Sequence, residues 1–498
     1  MAPRTPNDSA GADAVRFVLD GRVVEVDGLP PTTTVLEYLR EHAGRTGTKE
    51  GCAEGDCGAC TVVLGELDAD GASIRYRAIN SCIRFLPTID GKELVTVESL
   101  ASPDGTLHPV QQAMVDMHAS QCGFCTPGFV MSLFALYLDP QTSTPDREDV
   151  VEALAGNLCR CTGYRPIIDA GCAMRGYAEP RRWSRAEAQA RAHAELLQSI
   201  QRENALRCAG FAAPRGVDEL AAAFAAAPQS LLLAGGTDIG LWVTKHLREL
   251  PPIIYLGEVA DLHSITAEQQ AIRIGAAVPL TDAWAALVER IPQLAELAQR
   301  FGSPPVRNSG TLCGNVANGS QIGDAMPALI ALGASVELRC GNRLRVLALE
   351  DLYLGYQKKA LDAGEFVVAV SVPLPAAAAR FGFYKISKRV DQDISAVCAA
   401  FALTLDDNGR VSAARIAYGG MAAVPARARR TEAALLGKAF DATAVTAAVS
   451  ALAQDFQPIS DMRASAAYRL QTAGSLLNRF QRELETGSPV RTHAVAGA

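Results

Sequence analysis

Thirteen residues from Thr48 to Cys60, TKEGCAEGDCGAC, hold three cysteines and three glycines. With Cys82 they complete the spacing C-x4-C-x2-C…C, by which four thiolates hold a plant-type [2Fe–2S] cluster. A loop around two irons must turn sharply and aim its N–H groups at sulfur. Gly51, Gly55 and Gly58 allow the positive φ and close approach this requires. A four-cysteine zinc site is the alternative, although it more often shows two C-x2-C knuckles. Cys122 and Cys125 in QCGFCTPG, with Cys159 and Cys161 in GNLCRCTGYRP, make a second candidate quartet. Its C-x-C pair is unusual for zinc without being diagnostic of iron–sulfur, so both readings stand there. Cys172, Cys208, Cys313, Cys340 and Cys398 lie apart in apolar settings and read as buried core.

Two further segments suit a polar ligand. In LLLAGGTDIG (231–240) an apolar strand runs into a Gly-Gly turn, with Thr and Asp at a helix start. Such a turn offers backbone N–H groups to phosphate, though a plain strand–turn–helix reads equally well. FGSPPVRNSGTLCGNVANGSQIGD (301–324) is crowded with Gly, Asn and Ser. It fits contact with a long polar molecule, or a structureless surface loop.

The elements that must position these groups follow from pattern. VRFVLDGRVVEV (15–26) reads as two strands around an Asp20-Gly21 turn. Thr caps open a helix that places Val35, Leu36 and Leu39 on one face. Strand TVVL, an Asp70-Gly71 turn and a strand reaching Cys82 complete a compact α+β unit ending near residue 100. Helices follow: one from Pro127 with a stripe of Phe129, Val130, Leu133, Phe134, Tyr137 and Leu138, one from Thr144-Pro145, and one from Pro166. Residues 180–205 are polar and rich in Arg, Ala and Glu, which predicts an exposed linker with a solvated positive face. From 206 strands and helices alternate, with strands at 231–234 and 270–280 and a long amphipathic helix over 281–301. Strands FGFYKIS, SAVCAAFALTL and VSAARIAYGG and Ala-rich helices close the chain.

The chain has 498 residues, 49% hydrophobic and 20% charged, which suggests about three packed domains. A net charge of -7 argues against a nucleic-acid partner. No apolar run approaches the ~18–20 residues of a membrane span. MAPRTPNDSAGADA lacks the apolar core of a signal peptide and reads as a disordered lead-in. With 13 cysteines, the expected setting is a reducing cytoplasm, where clustered thiols mean metal or redox chemistry.

KEGCAEGDCGACTV, NSCI, QCGFCTPGFVMS and GNLCRCTGYRPI resemble the iron–sulfur segment of the molybdenum hydroxylases, the xanthine dehydrogenase group. The resemblance implies that Cys52, Cys57, Cys60 and Cys82 hold one [2Fe–2S] cluster and Cys122, Cys125, Cys159 and Cys161 another, nearer the molybdenum. It places Gln121 against molybdopterin; a helix cap is the other reading of that residue. Residues 231–240 and 301–324 resemble the family's FAD domain. That implies a pyrophosphate cradle of Leu232, Leu233, Ala234, Gly235, Gly236, Thr237, Asp238 and Ile239. Thr311, Gly314, Asn315, Asn318 and Ser320 would contact phosphate, ribose or adenine, with Asp324 beside them and Phe301 near the adenine half. Val368 and Lys385 match further flavin contacts; an ordinary exposed strand lysine is the other reading of Lys385. Arg389 and Asp393 fall where relatives border the isoalloxazine, near NAD.

The implied architecture is multidomain α+β. A β-grasp ferredoxin-like domain spans 13–100, a helical [2Fe–2S] domain 101–179 and the linker 180–205. An α/β FAD-binding domain covers 206–380 and a C-terminal α+β domain 381–487. The implied role is electron transfer from molybdenum, through both clusters and FAD, to NAD+ during oxidation of hypoxanthine and xanthine to urate. The four units fill the chain, so the molybdopterin site is expected on a separate large subunit, in an (αβ)2 heterotetramer, with no catalytic residue for hydroxylation here. Alternatives are the same subunit of another molybdenum hydroxylase, acting on an N-heterocycle or aldehyde, and a zinc-stabilised structural or assembly module.

Overall fold

The computed structural model describes residues 13–490 except 69, 181, 185, 186 and 391, and omits the side chains of 187–190. Residues 1–12 of the expected lead-in lie outside the described residues. The chain divides into two compact units. The first comprises residues up to Asp261 with Pro279–Thr281 and Gly302–Gly310; the second takes Leu262–Val278, Asp282–Phe301 and everything from Thr311.

The first unit opens with a five-stranded mixed sheet in the order Arg22–Val26, Val15–Leu19, Glu93–Val95, Thr61–Leu67, Ile74–Asn80. Val15–Leu19 runs parallel to Glu93–Val95 and the other pairs are antiparallel. Asp20 and Gly21 turn the hairpin with φ of 54° and 70°, the left-handed pair a two-residue turn needs. Thr34 caps the predicted helix. Its hydroxyl accepts from Glu37 N at 3.1 Å, and the Glu37 carboxylate accepts from Thr34 N at 3.4 Å, a capping box. Val35, Leu36 and Leu39 are buried as one face.

The helices Thr126–Leu138 and Arg165–Ala173 stand where pattern placed them, whereas the one expected from Thr144-Pro145 through Leu158 is shorter, Arg147–Leu154 behind an Asp146 cap. A fourth, Pro109–Asp116, was not anticipated: at two turns it shows too little apolar period to announce itself. His108 caps it, accepting from Val110 N at 3.2 Å.

Residues 180–205 are not the exposed linker expected. They contain the helix Glu187–Ser199, whose Leu197, with Ile200 just beyond, is 0% and 3% exposed and packs on Val18. Nor are the arginines simply solvated: Arg202 Nε donates to Asp90 at 2.7 Å. The apolar stripe is three residues wide and hidden among charges, so composition outweighed it. His193 fastens this helix, with Nδ1 3.3 Å from the buried Glu93 carboxylate, 3.4 Å from Tyr76 Oη and its ring edge-on to Trp183. The Glu93 hydrogen bond raises the His193 pKa above 6.5 against the opposing effect of burial. A raised folded-state pKa gives stability that is complete below the unfolded value and is lost as pH climbs through the raised one. Amide exchange in Glu187–Ser199 is therefore expected to quicken as pH rises above 6.5, beyond the intrinsic rate, and His193→Gln to flatten that dependence.

A second sheet of the first unit orders Leu206–Cys208, Phe211–Ala213, Ile253–Tyr255, Leu231–Leu233. Its last three strands are parallel.

In the second unit, Ile265–Ala267, Ala271–Gly275, Phe366–Pro373, Ser335–Cys340 and Arg343–Ala348 form an antiparallel sheet in that order. A further antiparallel sheet, Ala379–Ile386, Val397–Leu405, Val411–Gly419, Ala426–Arg427, packs on three C-terminal helices around Phe401, Tyr418, Phe456 and Phe480. Segment 281–301 is not one helix. Leu280–Arg290 stops before Pro292, a 3-10 turn follows, and Ala295–Gln299 resumes, because proline removes a donor and clashes with the preceding turn. Among the described residues no helix is long and apolar enough to cross a membrane.

Candidate functional site

The Thr48–Cys60 loop is folded around sulfur. Cys52 Sγ accepts the N–H groups of Glu54, Asp56 and Cys57 at 3.4, 3.4 and 3.3 Å. Three donors converge because Ala53 and Gly55 both take left-handed φ, 55° and 78°. Gly58 does the same at 70°, while Gly51 serves by absence: a Cβ there would stand 2.8 Å from Cys57 Sγ. Asn80 Nδ2 donates to Gly55 O at 2.9 Å and Ser81 Oγ to Cys60 O at 2.6 Å, so the end of the Ile74–Asn80 strand brings Cys82 to the loop.

The thiols meet in linked pairs. Cys52 is drawn well below the usual thiol range by hydrogen bonds from Cys57 and Cys82, and Cys60 is lowered by Cys82. Cys57 and Cys82 are pushed up by the same contacts. Cys52 pairs with Cys57 and Cys60 with Cys82, and Cys52 and Cys82 link the two pairs, an arrangement that fits two irons.

The other four thiols gather at the start of helix Thr126–Leu138 and in the loop before Arg165–Ala173. Cys125 meets Cys159 and Cys122 meets Cys161; Cys122 and Cys161 are exposed. Burial, then the bond to Cys159, pushes Cys125 up to about 12. Cys159 Sγ accepts from Thr162 N at 3.5 Å, and its own N–H donates to Tyr164 Oη at 3.1 Å. Gln121 is exposed and is not the helix cap, a position taken by Cys125.

The two thiol loops touch backbone to backbone. Leu158 N–H donates to Cys57 O at 3.0 Å. Asn157 Nδ2 donates to Gly58 O at 3.1 Å while its Oδ1 accepts from Ser132 at 2.7 Å. A Cβ on Gly58 would lie 2.2 Å from Gly156 O, and one on Gly128 2.0 Å from Gly58 O. Only glycine fits at such distances. None of Asn157, Asn80, Gly128 or Gly156 was singled out from sequence.

The Leu231–Leu233 strand leads into the Gly-Gly turn. Gly235 lies so close to the next segment that a Cβ would fall 2.0 Å from Ser309 O, and Gly236 turns with φ 75°. From Asp238 the helix Ile239–Thr244 lies on the first thiol loop. A Cβ on Gly240 would meet Ile83 O at 2.6 Å, and Leu241 packs with Cys60, Cys82 and Ile83. Leu232–Ile239 thus adjoin the residue after Cys82. Apart from the buried Leu233 these residues are partly exposed, and the open side of Gly236 fits a phosphate group.

In the second unit, Thr311 Oγ1 accepts from Gly314 N at 2.9 Å and opens the helix Leu312–Asn318. Asn315 Oδ1 is buried without a hydrogen-bond partner in the structure, as fits a ligand contact. Asn318 is exposed at that helix's end; Ser320 Oγ accepts from Ile322 N at 3.4 Å. Phe301 is buried against Trp284, with ring centroids 5.5 Å apart, and Val368 is buried within a strand. Arg389 and Asp393 pair with each other at 3.6 Å.

Lys385 is not an exposed strand lysine. Its ammonium lies 2.8 Å from Asp324 and donates to Arg300 O at 2.9 Å, with the two side chains 3% and 9% exposed. Ser395 donates to the other Asp324 oxygen at 2.5 Å. Lys385→Met leaves a buried carboxylate unpaired, so a loss of about 3–5 kcal/mol in urea unfolding is expected, with less when Asp324→Asn is added.

Of the scattered thiols, Cys313 and Cys398 are buried as expected, whereas Cys172, Cys208 and Cys340 are only partly so.

Four families match in sequence. Residues 17–85 match a 2Fe-2S iron–sulfur cluster binding domain and 96–172 a [2Fe-2S] binding domain. Residues 206–375 match the FAD binding domain in molybdopterin dehydrogenase, and 382–484 the CO dehydrogenase flavoprotein C-terminal domain. The xanthine dehydrogenase of Emericella nidulans is 31% identical over 507 residues, covering 89% of this chain and 36% of its own. Xanthine dehydrogenase 2 of Arabidopsis thaliana is 29% identical, covering 86% and 36%. The chain spans about a third of the length of these curated relatives. Among solved structures, a carbon monoxide dehydrogenase chain from Hydrogenophaga pseudoflava is 31% identical with a TM-score of 0.51, covering 55% of this chain and 95% of that one. A chain of quinoline 2-oxidoreductase from Pseudomonas putida 86 is 26% identical with a TM-score of 0.50, covering 56% and 97%.

Proposed function

We propose that this chain, which belongs to the molybdenum hydroxylase family as its iron–sulfur and flavin part, is the electron-transfer subunit of a xanthine dehydrogenase. The observation that carries the reading is an unbroken set of contacts within the first unit. The Cys159 loop touches the Cys57 loop through Leu158 N–H, and Ile83, next to Cys82, touches the Gly235-Gly236 turn. Cys52, Cys57, Cys60 and Cys82 would hold one [2Fe–2S] cluster, and Cys122, Cys125, Cys159 and Cys161 the other. Leu232 through Ile239 would cradle the FAD pyrophosphate, with Phe301, Thr311, Gly314, Asn315, Asn318, Ser320, Asp324, Val368 and Lys385 as further proposed FAD contacts. When bound, clusters carry single electrons and a flavin exchanges them for hydride. The chain's part is positional: N–H groups steady the Cys52 thiolate, and apolar cover keeps water from Cys60 and Cys82.

The finer reading is that hypoxanthine and xanthine are oxidised to urate on a molybdopterin-binding large subunit, facing Gln121 and the exposed Cys122 and Cys161. Assembly would be an (αβ)2 heterotetramer in the cytoplasm, with NAD+ as acceptor. The proposed domains are 13–100, 101–179, 206–380 and 381–487. Likeness to carbon monoxide dehydrogenase and quinoline 2-oxidoreductase supports a second reading, the same subunit of a molybdenum hydroxylase for another substrate. Co-purification with the large subunit, then assay of xanthine, quinoline, an aldehyde and CO with NAD+ or a dye, separates them. NAD+ reduction by xanthine is expected. Turnover of another substrate without xanthine moves the assignment to the second reading. A colourless, zinc-bearing chain overturns both.

A further inference from the structure

The end of the helix Ile239–Thr244 reaches back onto the Cys52 loop. Thr244 Oγ1 donates to Ala53 O at 2.7 Å, and Lys245 Nζ donates to Cys52 O at 2.6 Å. Ala53 sits at φ 55°, a conformation that a residue with a β-carbon keeps only when its surroundings hold it. The loop they meet is acidic: Glu50, Glu54 and Asp56 outnumber Lys49, and Lys49 turns its ammonium to Thr46 O at 2.6 Å. Lys245 also stands 3.7 Å from Glu54 Oε2. A cation from the segment that begins at the Gly-Gly turn is thus fixed on the backbone of the first thiol loop.

We propose that Lys245 is a positioning residue that sets the electron affinity of the Cys52, Cys57, Cys60 and Cys82 site. The inference rests on the proposed function, since it needs a redox group on those thiols. Gain of one electron there adds one negative charge, with no bond made and no proton required. An ammonium held at Cys52 O favours that charge by Coulomb attraction. Water and salt weaken the effect, because Lys245 and Glu54 are 39% and 41% exposed. Glu54 opposes it in part, which makes the pair a setting rather than a simple attraction.

The test is a redox titration of the assembled enzyme followed by EPR, comparing wild type, Lys245→Met and Lys245→Arg. At the potential where this site is half reduced in the wild type, the reduced-to-oxidised ratio in Lys245→Met is expected to fall roughly threefold. Lys245→Arg should stay near wild type, the gap should narrow at high salt, and flavin content and the other cluster should not change. An unchanged ratio in Lys245→Met, an arginine variant that behaves like methionine, or equal shifts at both clusters would overturn the proposal. Absence of any iron signal that Cys82→Ser removes would overturn the proposed function itself, so the two failures are distinct.

Discussion

Cys82→Ser is expected to leave the protein with about two irons in place of about four, since each [2Fe–2S] cluster holds two. An alcohol is a poorer iron ligand than a thiolate, and position 82 is 2% exposed, so solvent has little access to replace it. One of two EPR signals of the dithionite-reduced protein should vanish. The Cys122, Cys125, Cys159 and Cys161 signal should persist, because those thiols sit on other elements. Flavin should remain bound yet no longer be reduced when substrate is added to the assembled enzyme. Cys313→Ser, a buried thiol remote in sequence from both quartets, is the control and should keep all its iron. Retention of about four irons by Cys82→Ser would remove Cys82 from the ligand set.

Gly235→Ala is expected to cost flavin without costing iron. The new β-carbon would lie 2.0 Å from Ser309 O and 2.5 Å from Gly310 Cα, and backbone cannot swing aside as a side chain can. Overpacking of this kind costs roughly 1–3 kcal/mol. If the flavin-free chain relaxes this turn, the cost falls on flavin binding and lowers affinity by roughly 5- to 150-fold. The flavin-to-iron ratio after gel filtration reads it directly. Gly216→Ala, where the β-carbon would meet only Asp261 Oδ2 at 3.8 Å, should leave the ratio unchanged.

Much of this architecture is written in short-range chemistry. Thiol spacings in both quartets, the Asp20-Gly21 hairpin and the Thr34 cap are constraints within a few residues, and they read directly. What escaped has partners far along the chain. Asn157 meets Gly58 across 99 residues and Lys245 meets Cys52 across 193, so nothing local marks either. Lys385 is ambiguous in sequence for the same reason: its pairing with Asp324 across the intervening strands decides that it is buried. The helix at 187–199 was masked differently, by charges flanking a stripe of three apolar positions. The break at Pro292 is local: the helical period runs on through 281–301, but the proline ring interrupts it.

Unequal exposure of the two quartets bears on maturation. Cys122 and Cys161 are open on the folded surface, so a donor of iron and sulfide could reach them late. Cys60 and Cys82 lie behind Leu36, Ile83 and Leu241, and Leu241 belongs to the helix that follows the Gly-Gly turn. That helix therefore closes the Cys60 and Cys82 side of the inner site to a donor. Cys52 and Cys57 stay half-open on the other side, so the inner site is reached from the loop and the outer site from the surface.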